Sequence, residues 1–110
     1  MTNKYSAKKT EYKGVVYDSK KESKRSAELD LLEKCGKIKN LQRQVRFILQ
    51  EDFIAFDGKR IRPISYIADF YYECNNKKIV EDTKGFRTQV YLLKKKLFLA
   101  KYPDIIFIES

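Results

Sequence analysis

Two short stretches hold the residues best suited to chemistry, Tyr66-Ile67-Ala68-Asp69-Phe70 and Val80-Glu81-Asp82-Thr83-Lys84. Each lies in a run with the composition of a β-strand, and the interval from Glu73 to Lys78 connects them. Strand side chains alternate between faces, so Asp82 and Lys84 share one face while Glu81 and Thr83 share the other. If the two runs pair as a hairpin, Asp69 lies beside Asp82 on that face. Two carboxylates and an ammonium on one surface can hold a divalent cation and set a positive charge next to a phosphate. Glu81 then belongs to the opposite face as a surface charge, unless a one-residue slip of register promotes it over Asp82.

The elements that must present these residues follow from the pattern. Residues 1–11 are polar, lysine-rich and aperiodic, a flexible basic arm ahead of a single domain over residues 12–110. Residues 12–17 have strand character. Ser19 and Glu22 have capping-box spacing and open a helix over residues 20–35, with Ala27, Leu31, Leu32 and Cys35 turned inward and Gly36 ending it. Residues 38–50 alternate as a long strand, Leu41, Val45, Phe47 and Leu49 against Gln42, Arg46 and Ile48. Asp57-Gly58 signals a hairpin turn, residues 60–72 a second strand, Asn75-Asn76 another turn, and residues 79–84 a third strand. Val90, Leu93, Leu97 and either Phe98 or Ala100 recur at helical spacing over residues 88–101. Pro103 stops that helix before a last apolar strand over residues 104–108. The order is αβββαβ around a mixed sheet, an α/β fold in one domain.

The chain has 110 residues, 43% hydrophobic and 35% charged, which suits one folded domain with a single core. Lys and Arg number 24 against 15 Asp and Glu, a net charge of +9. So basic a domain favours a polyanion, because each phosphate contact releases counterions. No stretch reaches the roughly 18 apolar residues of a membrane span, and the start is too polar for a signal peptide, so a cytoplasmic protein without a membrane partner is expected. Cys35 and Cys74 are too few for a disulfide framework and lack metal-ligand spacing; they read as reduced core thiols. Histidine is absent. That excludes Ser-His-Asp and Cys-His hydrolases, His-ligated zinc fingers and nucleases with a histidine base. A metal here must be hard and oxygen-bound, Mg²⁺ or Mn²⁺.

This order, with its acid-bearing strands, resembles the PD-(D/E)XK nuclease superfamily. Its core is a helix, a three-stranded meander, a second helix and a fourth strand, as in restriction endonucleases. Tyr66-Ile67-Ala68-Asp69-Phe70 looks like the first half of the signature and Asp82-Thr83-Lys84 like the second, with Ala68 where a proline is common. Glu22 matches the glutamate that many members add from the first helix. The small phage and archaeal Holliday-junction resolvases and the transposase-type endonucleases are closest in size and layout. The chain also resembles a family of small phage proteins of unsettled function, which would place it in the host cytoplasm.

The resemblance implies a metal-dependent endonuclease that hydrolyses DNA phosphodiester bonds. Asp69, Asp82 and the Thr83 carbonyl would ligate Mg²⁺, with Glu22 binding directly or through water. Lys84 would orient the attacking water or neutralise the transition state. Glu28 is a rival for the helical acid, an outer support for the site, or a partner of Arg25. Gln44 resembles a glutamine found early in the first strand of related endonucleases, though ordinary strand surface also explains it. Lys94, Lys95, Lys96 and Lys101 on the last helix, and Lys8, Lys9 and Lys13 in the arm, suit backbone phosphates. The eight tyrosines and seven phenylalanines read as core and subunit interface rather than base-stacking platforms. A branched substrate such as a Holliday junction needs two symmetric cuts, hence a homodimer. A nicking, restriction-type or transposase-type endonuclease subunit, or a catalytically silent DNA-binding accessory protein, would carry the same features.

Overall fold

A computed structural model describes residues 10–12, 15–17, 20–83 and 87–110. In chain order the elements are β1 (Thr10–Tyr12), β2 (Val15–Tyr17), α1 (Lys20–Lys34), β3 (Lys39–Gln50), β4 (Phe53–Ile54) and β5 (Arg60–Ile61). They continue with β6 (Ile64–Cys74), β7 (Lys77–Asp82), α2 (Gln89–Lys101) and β8 (Ile105–Glu109). The central sheet has the order β3-β6-β7-β8 and is mixed: β3, β6 and β7 form an antiparallel meander, and β8 lies parallel to β7. A parallel neighbour requires a crossover, and α2 supplies it. The expected αβββαβ order and mixed α/β class are therefore the observed ones.

Turn chemistry sets the meander. Asn75 and Asn76 adopt φ of 52° and 65°, and Cys74 pairs with Lys77 across them. Two successive left-handed residues make the tight loop whose twist matches paired strands, and asparagine tolerates that conformation. The connection is thus two residues long, because Glu73 and Lys78, expected within it, already pair. At the other end, Pro63 lacks the N–H that a ladder needs, so the single strand expected over residues 60–72 is divided into β5 and β6. Residues 12–17 likewise form part of an antiparallel hairpin, β1 with β2, rather than one strand. Thr10 and Glu11, assigned to the arm, belong to β1; residues 1–9 lie outside the described residues.

Each face of the sheet is covered by one helix. Under α2 lie Leu49, Tyr66, Ala68, Val80, Tyr91 and Phe98, with Phe47, Tyr71, Tyr102, Ile105 and Phe107 packed against them. The second cluster, with Leu29 of α1, holds Ile38, Phe70, Tyr72 and Ile79, joined by Leu32, Leu41 and Cys74. Phe98 is central, in edge contact with Phe47 at 5.0 Å and with Tyr66 at 5.6 Å between ring centroids.

Both helices bury a face that overlaps the one their apolar spacing suggests only in part, at Leu32 and Phe98. α1 buries Glu22, Ser26 and Leu29, while Leu31 and Cys35 are exposed. The buried stripe is polar because it hydrogen-bonds the sheet: Arg43 Nε donates to Ser26 Oγ at 2.8 Å, and Gln44 Nε2 to Glu22 Oε2 at 3.0 Å. α2 buries Tyr91 and Phe98, two turns apart, and leaves Val90, Leu93 and Leu97 outside. Large aromatic rings fill the space over the sheet that the aliphatic stripe would leave open. Cys35 is correspondingly not a core thiol, whereas Cys74 is half-buried against the second cluster.

Leu29→Ala is expected to cost about 2–5 kcal/mol of stability in urea unfolding, and Leu31→Ala no more than about 0.5 kcal/mol. The reverse ranking would put the other face of α1 against the sheet.

Candidate active site

The strand acids meet where the alternation of side chains changes over. Tyr66 and Ala68 face α2, yet Phe70 and Tyr72, of the same parity, face α1. On β3 the same change separates Arg43, bonded to α1, from Phe47, packed under α2. Gln44, between them, has φ of 53°, a left-handed conformation unusual for a long side chain inside a strand. Arg43 pairs with Phe70 and Val45 with Ala68, so Gln44 stands opposite Asp69. The two strands change over at facing positions, which leaves their register intact. Such strain is held only where surrounding contacts fix it, and it gathers at functional sites.

On the other side, Phe70 pairs with Glu81, so one step on in that register Asp69 meets Asp82. The juxtaposition is bonded. The Asp69 N–H lies 3.4 Å from Asp82 Oδ1. Thr83 donates both its N–H and its hydroxyl to Asp69 Oδ2, each at 2.9 Å. Tyr66 donates its hydroxyl to Asp82 Oδ2. Burial and then the Asp82 charge hold the Tyr66 phenol protonated, well above its ordinary pKa. Asp69, Asp82, Thr83 and Glu22 are all buried. One row therefore runs from Glu22 through Gln44 and Asp69 to Asp82.

Beside Asp82, Glu109 closes the far edge. It pairs with Asp82 across β7 and β8 and accepts from the Tyr91 hydroxyl at 2.6 Å and from Arg87 at 2.6 Å. Lys95 lies 3.4 Å from it and 5.1 Å above the Phe107 ring. The Tyr91 bond, outweighing burial, holds the Glu109 carboxyl below its ordinary pKa. A groove lined by Ser65, Tyr66, Ile67, Thr88, Val90 and Lys94 opens next to this cluster.

The structure gathers some of the residues singled out in the sequence and separates others. Asp69, Asp82 and Thr83 are bonded to one another, and Glu22 is bonded to Gln44, whose strand position faces Asp69. Gln44 is an exposed residue of β3 and is also bonded to the helical acid. Glu28 is half exposed and pairs with Arg25 at 3.3 Å, so Glu22 is the buried acid of the helix. Of the α2 lysines, Lys94 lines the groove, Lys95 is engaged by Glu109, Lys96 is exposed and Lys101 reaches over the Tyr102 ring at 5.9 Å. Lys8, Lys9, Lys13, Ser19 and Lys84 lie outside the described residues.

Glu81 is corrected most. It lies on the face opposite Asp82, as expected, but there it is turned to α1 and fully buried rather than a surface charge. Arg25 grips it through Nε at 2.6 Å and Nη2 at 3.1 Å, and Tyr72 donates at 2.7 Å. Burial raises the Glu81 pKa, and the Arg25 and Tyr72 bonds outweigh it, leaving the carboxyl below its ordinary value. Burial and the Glu81 bond push Tyr72 up to about 12. Arg25 three residues after Glu22 was the one available signal, since both then project from neighbouring faces of α1. Tyr66, Tyr91 and Glu109 were also missed; no spacing rule links them to the acids.

The donors at Asp69, Asp82 and Glu22 are oxygens, which suit a hard divalent cation. Asp69 Oδ1 accepts no hydrogen bond among the described residues, while Oδ2 is saturated by Thr83. Among the described residues no three His, Cys, Asp or Glu side chains are grouped closely enough to hold a metal ion by themselves. A cation on the two aspartates would thus complete its shell with main-chain oxygen and water, as Mg²⁺ commonly does.

Over residues 2–108 the chain matches the family described as protein of unknown function DUF1064, and it belongs to that family. No curated protein and no solved structure matches it. Among the described residues, no helix is long and apolar enough to cross a membrane.

Removing one partner of a buried charge pair leaves the other uncompensated. Arg25→Met is expected to cost about 3–5 kcal/mol in urea unfolding at pH 7. Because the folded Glu81 carboxyl binds its proton more weakly than the unfolded one, its contribution is complete above the ordinary value of 4.5 and is lost as pH falls through the lower folded value. Wild type should therefore lose more stability between pH 7 and pH 3 than Glu81→Gln does. Equal losses in the two proteins would rule out this linkage.

Proposed function

We propose that this protein is a Mg²⁺- or Mn²⁺-dependent endodeoxyribonuclease of the PD-(D/E)XK type, acting on branched DNA as a homodimer. The observation that carries this is the juxtaposition of Asp69 and Asp82 on adjacent strands, with Asp69 Oδ1 accepting no hydrogen bond among the described residues and Glu22 bonded to Gln44, which faces Asp69. The net charge of +9 supports a polyanionic substrate.

Asp69 and Asp82, with the Thr83 carbonyl, would hold the cation, and Glu22 would reach it through water; the cation would supply charge relief on the phosphoryl oxygens and a more acidic water. Thr83 fixes the Asp69 carboxylate and Tyr66 fixes that of Asp82, so neither has to reorient as charge develops. Gln44 holds Glu22 from the opposite side. Lys84, two residues past Asp82, is assigned by the resemblance to the attacking water or the transition-state charge. Lys94 in the adjoining groove is suited to the phosphate of the scissile strand. Contact through phosphates reads DNA shape rather than sequence, in keeping with a branched substrate.

Incubation with a four-way junction and a matched linear duplex, with Mg²⁺ or with chelator, tests this. Paired, symmetric nicks confined to the junction and abolished by chelator are expected. Binding of both DNAs without cleavage in Mg²⁺ or Mn²⁺ would leave a DNA-binding accessory protein instead. Asp82→Asn is expected to lower the cleavage rate about 10²–10³-fold with DNA binding retained. Gln44→Ala and Tyr66→Phe, which remove supports rather than ligands, should each lower it about 10–100-fold. Full activity of Asp82→Asn would exclude the site.

A further inference from the structure

The first two turns of α1 carry a charge pattern that helix formation disfavours. Lys20, Lys21, Lys24 and Arg25 are four cations at the end where the helix dipole is positive. Lys20 and Lys24 stand four residues apart, as do Lys21 and Arg25, a spacing at which like charges repel. Arg25 is compensated, since it holds Glu81 and Glu28. The three lysines are exposed and make no ion pair among the described residues. On α2, by contrast, Lys95 is engaged by Glu109 and Lys101 lies over Tyr102.

Lys21 and Lys24, with Arg25, Glu28 and Ser110, line a cleft of about 180 Å³, room for a phosphate group. Glu28, the acid in this lining, is the one paired with Arg25, so the lysine charge is left over. Two links place the cleft beside the acidic row. The Ser110 N–H donates to the Asp82 carbonyl at 2.9 Å, and Arg25 holds Glu81, the residue before Asp82. Asp82 therefore lies between two openings. This cleft is on the α1 side, and the groove with Tyr66 and Lys94 is on the α2 side.

We propose that the DNA strand engaged at the acidic row continues across the first two turns of α1, where Lys21 and Lys24 hold a phosphate in the cleft and Lys20 adds charge beside it. This rests on the nuclease reading and extends it by a second phosphate subsite, on the side of the row away from Lys94. An incoming phosphate relieves the repulsion among the lysines, meets the positive end of the helix and releases counterions. A backbone held on both sides of Asp82 fixes the bond to be cut between two anchors.

The test measures binding of a four-way junction in chelator over a range of salt, for wild type, Lys21→Gln/Lys24→Gln and Lys34→Gln/Lys37→Gln. The last variant removes the same charge from exposed positions at and beyond the far end of α1. With circular dichroism unchanged, the first should lower the slope of log K against log salt by about one, the loss of one phosphate contact. The second should keep the wild-type slope. Lysine acetylation of the wild type, mapped by mass spectrometry, needs no variant to fold; the junction should protect Lys21 and Lys24 several-fold and leave Lys34 and Lys37 open. Equal slopes in the two variants, or acetylation of Lys21 and Lys24 unchanged by DNA, would overturn the inference even where the junction is cut. The expected slope and footprint without cleavage in Mg²⁺ would remove the nuclease reading alone and leave the phosphate track in place.

Discussion

The arrangement of acids depends on the changeover of side-chain alternation at Gln44 and Asp69. In regular strands Tyr66, Ala68, Phe70 and Tyr72 would all point one way, and one helix would receive none of them. With the changeover, each helix receives two of them. Because both strands change over at facing positions, the register survives and the strain is confined to one left-handed residue, Gln44. Its side chain is bonded to the acid of α1. A backbone irregularity, a helix docking and the acidic row thus form one structural unit.

Charge is handled in two ways on the two faces of β7. Glu81, facing α1, is neutralised by the guanidinium of Arg25, a pairing that holds helix to sheet. Asp82, next in sequence and facing α2, receives the phenol of Tyr66. A phenol anchors a carboxylate without cancelling its charge, whereas a guanidinium cancels it. Adjacent acids thereby differ in how far their partners compensate their charge.

Much of this was legible in the sequence, and the limits have physical reasons. The strand order and the β6–β7 hairpin follow from Asn75-Asn76, whose side chains tolerate the left-handed pair that the turn requires. The approach of Asp69 to Asp82 follows from the period of two. The helix faces followed only in part, at Leu32 and Phe98, because periodicity locates a stripe without saying what covers it; on α1 the buried stripe includes the polar Glu22 and Ser26, and on α2 it is aromatic. The interruption at Pro63 was open to inspection from the missing N–H. The changeover at Gln44 was not, since no glycine or asparagine marks it and only the demands of neighbouring strands impose it.

The two-residue loop at Asn75-Asn76 has a consequence for the order of assembly. Closing a chain over two residues carries far less entropic penalty than bringing β8 back to β7 across a helix, and local pairings precede distant ones in folding. Asp69 and Asp82 therefore lie in the most local pairing of the central sheet, a hairpin spanning Ile64–Cys74 and Lys77–Asp82. Two like charges are brought together before either helix needs to dock, and α1 then delivers Glu22 as the late component.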